Sequence, residues 1–224
     1  MKSRRMILVA MGAALALAGP SAAARSADQR SFTVLVSNVS TDAALRLPDG
    51  STSRVPIAPG AYAVVDEGIL AFDEGGPAGA ALERLAEDGM PEAFVAKLKR
   101  TKGVRMAGTF LHDEPFNVSL GPGERLVFAA MFAQSNDLFY APGPKGIALF
   151  DAGGKPRTGI LDEPIALWDA GTEVNEAPGA GANQAPRQPS PNSGATEGGR
   201  VRPVDDGFAY PSARDVLEVS ISVN

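Results

Sequence analysis

The chain has 224 residues, with 21 Lys and Arg against 26 Asp and Glu, a formal charge of −5, one histidine and no cysteine. That acidic balance argues against a nucleic-acid partner and against simple electrostatic docking on anionic lipid. The cysteine count excludes disulfide bonds, and a lone histidine leaves zinc centres of the usual kind without ligands.

Residues 1–24 read as an address rather than as part of the fold. Lys2, Arg4 and Arg5 form a basic start, residues 6–18 an apolar run, and Ala22, Ala23 and Ala24 a small-residue cleavage site. This is the order of a secretory signal peptide. The alternative is an anchoring helix, but the run is shorter than the roughly 20 residues a bilayer span needs. The expected product is secreted or periplasmic, with no transmembrane segment after cleavage. Taking Lys2, Arg4 and Arg5 from the 21 basic residues leaves 18 against 26 acidic ones, a surplus compatible with cation binding.

After a short extension over 25–30, residues 31–224 suffice for one β-sandwich-sized domain. Residues 31–39 alternate Phe32, Val34 and Val36 with smaller or polar side chains, which predicts a first strand. Leu47-Pro48-Asp49-Gly50 and Ala58-Pro59-Gly60 are turn signals, with strand pieces at 53–57 and 62–65. Over 77–100 the spacing changes. Leu82, Leu85 and Ala86 share one helical face, Gly89-Met90-Pro91 interrupts, and Phe94, Val95 and Leu98 repeat the pattern. Two short helices packed on the end of a sheet are expected.

Strand patterns resume at 104–111. The nearly continuous apolar run over 124–132 predicts a central strand buried on both faces. Strands at 146–150 and 160–168 flank the Asp151-Ala152-Gly153-Gly154 hairpin signal. Residues 174–201 are a long Gly/Pro-rich loop without periodicity, expected to be the least ordered part of the domain. Residues 215–223 alternate again and close the sheet. The fold class is mainly β: an antiparallel β-sandwich with a short two-helix insertion.

Two stretches carry chemistry. Gln134 to Tyr140 and Leu167 to Glu173 each set carboxylates beside aromatic anchors at strand ends. Three converging carboxylates would suit a hard cation such as Ca²⁺, and without one they would raise each other's pKa values. Solvated carboxylates capping turns are the plain alternative. Asn136 and Asn175 are weaker candidates for added ligands or supporting partners. His112, in Leu111-His112-Asp113-Glu114, has no serine in a nucleophile-elbow context to serve.

The first-strand FTVLVSNVS, the SNDLFYAP stretch around Asp137, the WDAGTE motif at 168–173 and Glu74-Gly75-Gly76-Pro77 before the helices resemble the spondin domain family. The resemblance spans roughly 31–223. It implies a sandwich similar to calcium-dependent membrane-binding domains. It also implies one site for Ca²⁺ or another divalent cation, on Asp137, Asp169 and Glu173. Glu173 stands where animal members often have Asp, and the cysteines usual in those members are missing here. The implied function is non-catalytic: adhesion or interaction in the cell envelope or outside the cell, with a protein or glycan partner. A metal-dependent exported hydrolase using the same acids is the competing reading.

Overall fold

The computed structural model describes residues 29–162 and 164–224. The expected signal peptide at 1–24, and all but the end of the 25–30 extension, lie outside the described residues. In chain order the elements are β1 (Arg30–Asn38), β2 (Leu45–Arg46), β3 (Thr52–Ser53), β4 (Ile57–Asp66), α1 (Gly79–Asp88) and α2 (Glu92–Arg100). There follow β5 (Val104–Phe110), β6 (Phe116–Leu120), β7 (Glu124–Phe132), β8 (Leu138–Pro142) and β9 (Ile147–Ala148). The chain then forms β10 (Gly159–Ile160), β11 (Ile165–Asp169), β12 (Arg202–Pro203) and β13 (Leu217–Val223).

Two sheets face each other. The smaller runs β10-β13-β1-β6 and the larger β12-β11-β8-β7-β4-β5, with β9 beside β7 and a separate β2-β3 ribbon. The pairings are antiparallel, so the chain is mainly β and sandwich-like, as its alternation predicts. Burial explains why β7 is apolar from Leu126 to Phe132. Leu126, Phe128, Ala130 and Phe132 face the core between the sheets, with Phe32, Val34 and Val36 of β1. Val127 and Ala129 face a second core, shared with Leu82, Leu85, Phe94 and Leu98 of the helices. A strand covered on both faces has no reason to alternate.

The helices therefore lie across the outer face of the larger sheet, not on its end. Small residues on that face (Ala61, Ala63, Ala129, Ala141) let the helix side chains approach closely. Gly89 ends α1 in the left-handed conformation, with its N–H bonded to the Leu85 carbonyl and the Met90 N–H to the Arg84 carbonyl. Lys97, Lys99 and Arg100 close α2, where their charge suits the helix dipole.

Two further sequence expectations are corrected. Ala58-Pro59-Gly60 is not a turn: β4 runs through it as a bulge, with the register shifting between Ile57 and Gly60. A side chain at Gly60 would meet the Phe110 ring at 2.3 Å and the Ala129 carbonyl oxygen at 2.7 Å, so this glycine serves close packing. The stretch 160–168 is two strands in different sheets, β10 against β13 and β11 against β8. Pro164, which has no N–H to donate, stands between them. Strands β6 and β12 were not anticipated.

The segment 174–201 is the long loop expected. It has little regular structure, yet polar side chains fasten it. The fully buried Gln184 donates to the Ala177 carbonyl at 2.9 Å and accepts from the Gly179 N–H at 3.0 Å. Arg187 reaches Gln134, Gln188 reaches Asp88 on α1, and Asn192 reaches Glu83 on the same helix. Hydrogen bonds here do what apolar burial does elsewhere.

Candidate metal centre

The β8–β11 register builds the site. Asp169, the last residue of β11, lies opposite Leu138, the first of β8, and the Ala170 N–H bonds to the Asp137 carbonyl at 3.2 Å. The acids of the two sequence motifs are thereby brought side by side at one end of the larger sheet. Behind them Trp168 is held by its own N–H to the Ala141 carbonyl at 3.2 Å and packs on Phe72.

After Asp169 the chain turns at Gly171, which has φ +69°. The turn aims its N–H groups back at the acids. Gly171 N donates to Asp169 Oδ1 at 2.6 Å, while Thr172 N, Thr172 Oγ1 and Glu173 N all donate to Asp137 Oδ2, at 2.6, 3.1 and 3.1 Å. Asp137 is fully buried, and its Oδ1 has no partner. Burial, reinforced by the charge of Asp169, pushes the Asp137 carboxyl up to about 7. Burial also raises Asp169, against the Gly171 N–H and Arg202.

The third carboxylate is one the sequence motifs do not contain. The loop returns antiparallel to the turn: Val174 N bonds to Ala195 O, Glu197 N to Thr172 O and Gly199 N to Gly171 O. This pairing delivers Glu197. Asp137, Asp169 and Glu197 each offer an oxygen, and the three oxygens lie within 4.8 Å of one another. Glu173, implied by the family resemblance, stands outside that group. It is buried, with Oε1 accepting from the Gly194 N–H at 2.8 Å and Oε2 from Asn136 at 3.3 Å, so it pins the loop. Asn175 donates to Asp169 Oδ2 at 3.1 Å, while its own Oδ1 is buried without a partner. Asn136 bonds to Glu173 and Glu176.

Arg202 was also missed. β12 places it opposite Asp169, and one of its nitrogens lies 2.8 Å from both Asp169 Oδ2 and Glu197 Oε1. No short sequence signal ties a residue thirty-odd positions away to the motif. His112 hydrogen-bonds Asp113 at 2.8 Å on the surface. Hard oxygens, one of them buried and unpartnered, fit a divalent cation better than a softer metal.

Beside the turn lies a cleft of about 380 Å³, lined among others by Glu83, Glu87, Thr172 and Gly199. Glu87 on α1 is 2% exposed, and its Oε2 has no partner. Burial raises its carboxyl from about 4.5 to about 7, with Glu173, Glu83 and Asp137 adding repulsion. Since the folded form binds its proton more tightly, this group costs stability as pH rises from about 4.5 to 7 and leaves that cost in place above. Glu87→Gln should therefore gain about 1–3 kcal/mol on the wild type between pH 5 and pH 8. Urea melts at the two pH values measure this, and identical pH dependence in both proteins would refute it.

Compared with known proteins, the chain matches no family model, and no curated protein matches it significantly. Among the described residues, no helix is long and apolar enough to cross a membrane.

Proposed function

We propose that the chain is an exported, spondin-like domain whose non-catalytic role in adhesion or envelope interaction depends on a divalent cation, Ca²⁺ by preference. The observation that carries the cation is Asp137. A fully buried carboxylate with one oxygen unpartnered, beside Asp169 and Glu197, is costly unless something positive completes it. Carbonyls and water would supply the rest of the six to eight oxygens Ca²⁺ prefers. Because Glu197 comes from the long loop, the ion would also fasten that loop to the sandwich. The reading is consistent within itself, since for an exported chain even a weak site of about 10⁻⁴ to 10⁻³ M is filled outside the cytosol.

Calorimetric titration of chelator-treated protein with Ca²⁺ tests the proposal, beside Asp137→Asn. At about 100 times Kd the ion should stabilise the wild type by roughly 2.7 kcal/mol. In Asp137→Asn the amide oxygen can keep the three donors now on Oδ2, while the amide nitrogen places a donor among carboxylates. That variant should lose the calcium response yet be about 1 kcal/mol more stable than the wild type in chelator. A wild type that takes up no divalent cation would end the proposal. An Asp137→Asn variant that binds as well as the wild type would end the site assignment.

A further inference from the structure

We infer that Arg202 is the site's built-in competitor: its guanidinium holds two of the three carboxylates that an incoming cation needs, Asp169 and Glu197, so cation binding is an exchange. The inference rests on the cation reading above and concerns what limits its affinity. One nitrogen of Arg202 donates to Asp169 Oδ2 and Glu197 Oε1, 2.8 Å from each, and a second donates to the Arg200 carbonyl at 3.3 Å. These two carboxylates are two of the three that converge within 4.8 Å. Asp137 receives no bond from the arginine; its Oδ2 is satisfied by the turn, and its Oδ1 by nothing. The guanidinium thus neutralises one side of the cluster and leaves the buried side open.

A cation coordinated by all three carboxylates would sit within a few ångströms of the guanidinium that already bonds two of them. The two charges cannot share the space without strong repulsion. The arginine can leave, because its side chain is 36% exposed and its backbone is fixed independently by β12 against β11. Asp206, whose charge also reaches Asp169, adds to the negative field that keeps a cation of either kind there. Arg202 therefore sets a threshold. It stabilises the cation-free protein and weakens binding, so that only an ion concentration high enough to displace it is sensed.

The test compares Ca²⁺ titrations of the wild type, Arg202→Gln and Arg202→Lys after chelator treatment, with melting temperatures measured in chelator and in Ca²⁺. Arg202→Gln should bind on the order of tenfold tighter, since a full positive charge a few ångströms from the ion is gone. It should also melt lower than the wild type in chelator and show the larger rise with Ca²⁺. Arg202→Lys keeps the charge without the fork and should stay within a few-fold of the wild type. Should Arg202→Gln not fold, the side-chain nitrogen resonances of Arg202 in the wild type, assigned by their loss in Arg202→Lys, give a second readout. They should show hindered rotation in chelator and free rotation at saturating Ca²⁺.

A wild type that binds Ca²⁺ while Arg202→Gln binds no tighter, or whose Arg202 signals do not change, overturns the competitor and leaves the cation reading standing. Binding by Arg202→Gln alone upholds the competitor and overturns the cation reading for the wild type. Binding by neither folded protein overturns both.

Discussion

Phe139→Ala is expected to cost about 3–5 kcal/mol, the cost of truncating a buried aromatic in a core that cannot collapse around the loss. Phe139 is fully buried in β8, opposite Met131 of β7 and Trp168 of β11. Its ring meets Phe72 edge-on at 5.2 Å, and Phe72 in turn meets Trp168 at 5.0 Å, so one truncation weakens a chain of three aromatics. The ring belongs to the core between sheet and helices, two residues from Asp137. A domain of this size has only about 5–15 kcal/mol in total, so the variant should be marginal at 37 °C. Phe208→Ala is the control: that ring is 40% exposed, and its loss should cost no more than about 0.5 kcal/mol. Urea unfolding of both variants decides the matter. Equal losses would mean that the helix-side core is not packed as described.

The same double burial separates what was legible in the sequence from what was not. Residues 124–132 announced a central strand because both of its faces are covered, and Leu82, Leu85 and Ala86 announced a helix because only one of its faces is. The error at 160–168 has the opposite origin. Ile160, Leu161, Ile165 and Leu167 look like one apolar strand, but the chain crosses from one sheet to the other between them, and only Pro164 hinted at the break. Gly60 misled for a related reason. A glycine that lets the Phe110 ring approach leaves the same letter in the sequence as one that turns the chain. At the site, Asp137 and Asp169 could be found because each sits at a strand end, where register fixes position. Glu197 and Arg202 could not. They reach the site through hydrogen bonds between a turn and a returning loop, a pairing that depends on backbone groups every residue carries. Glu173 stands apart from the converging three for the same reason: one of its oxygens accepts from Gly194, far along that loop, and the other from Asn136.

Gly171→Ala should cost about 2–4 kcal/mol and remove any calcium response, although it adds one methyl group and deletes no ligand. Two causes act together. The residue has φ +69°, where a side chain costs about 1–2 kcal/mol on its own. In addition, a Cβ at 171 would sit 2.4 Å from the Arg200 nitrogen, 2.8 Å from the Arg200 oxygen and 2.8 Å from the Gly199 carbonyl carbon. These are backbone atoms, so no rotamer change relieves the contact. The returning strand must move away, and with it go Glu197 and Arg202, which flank the clash on either side. The Gly171 N–H, now 2.6 Å from Asp169 Oδ1, and the Gly199 N–H, 2.7 Å from Gly171 O, would lengthen at the same time. Gly198→Ala separates the two causes. Its φ is +67°, but a Cβ there would meet nothing within 4 Å, so it should show the backbone cost alone and keep its Ca²⁺ response. Thermal melts of both variants, each in chelator and in Ca²⁺, give the comparison. If the two alanines cost the same, or if Gly171→Ala still responds to calcium, then the loop does not lie against the turn and Glu197 has no part in the site.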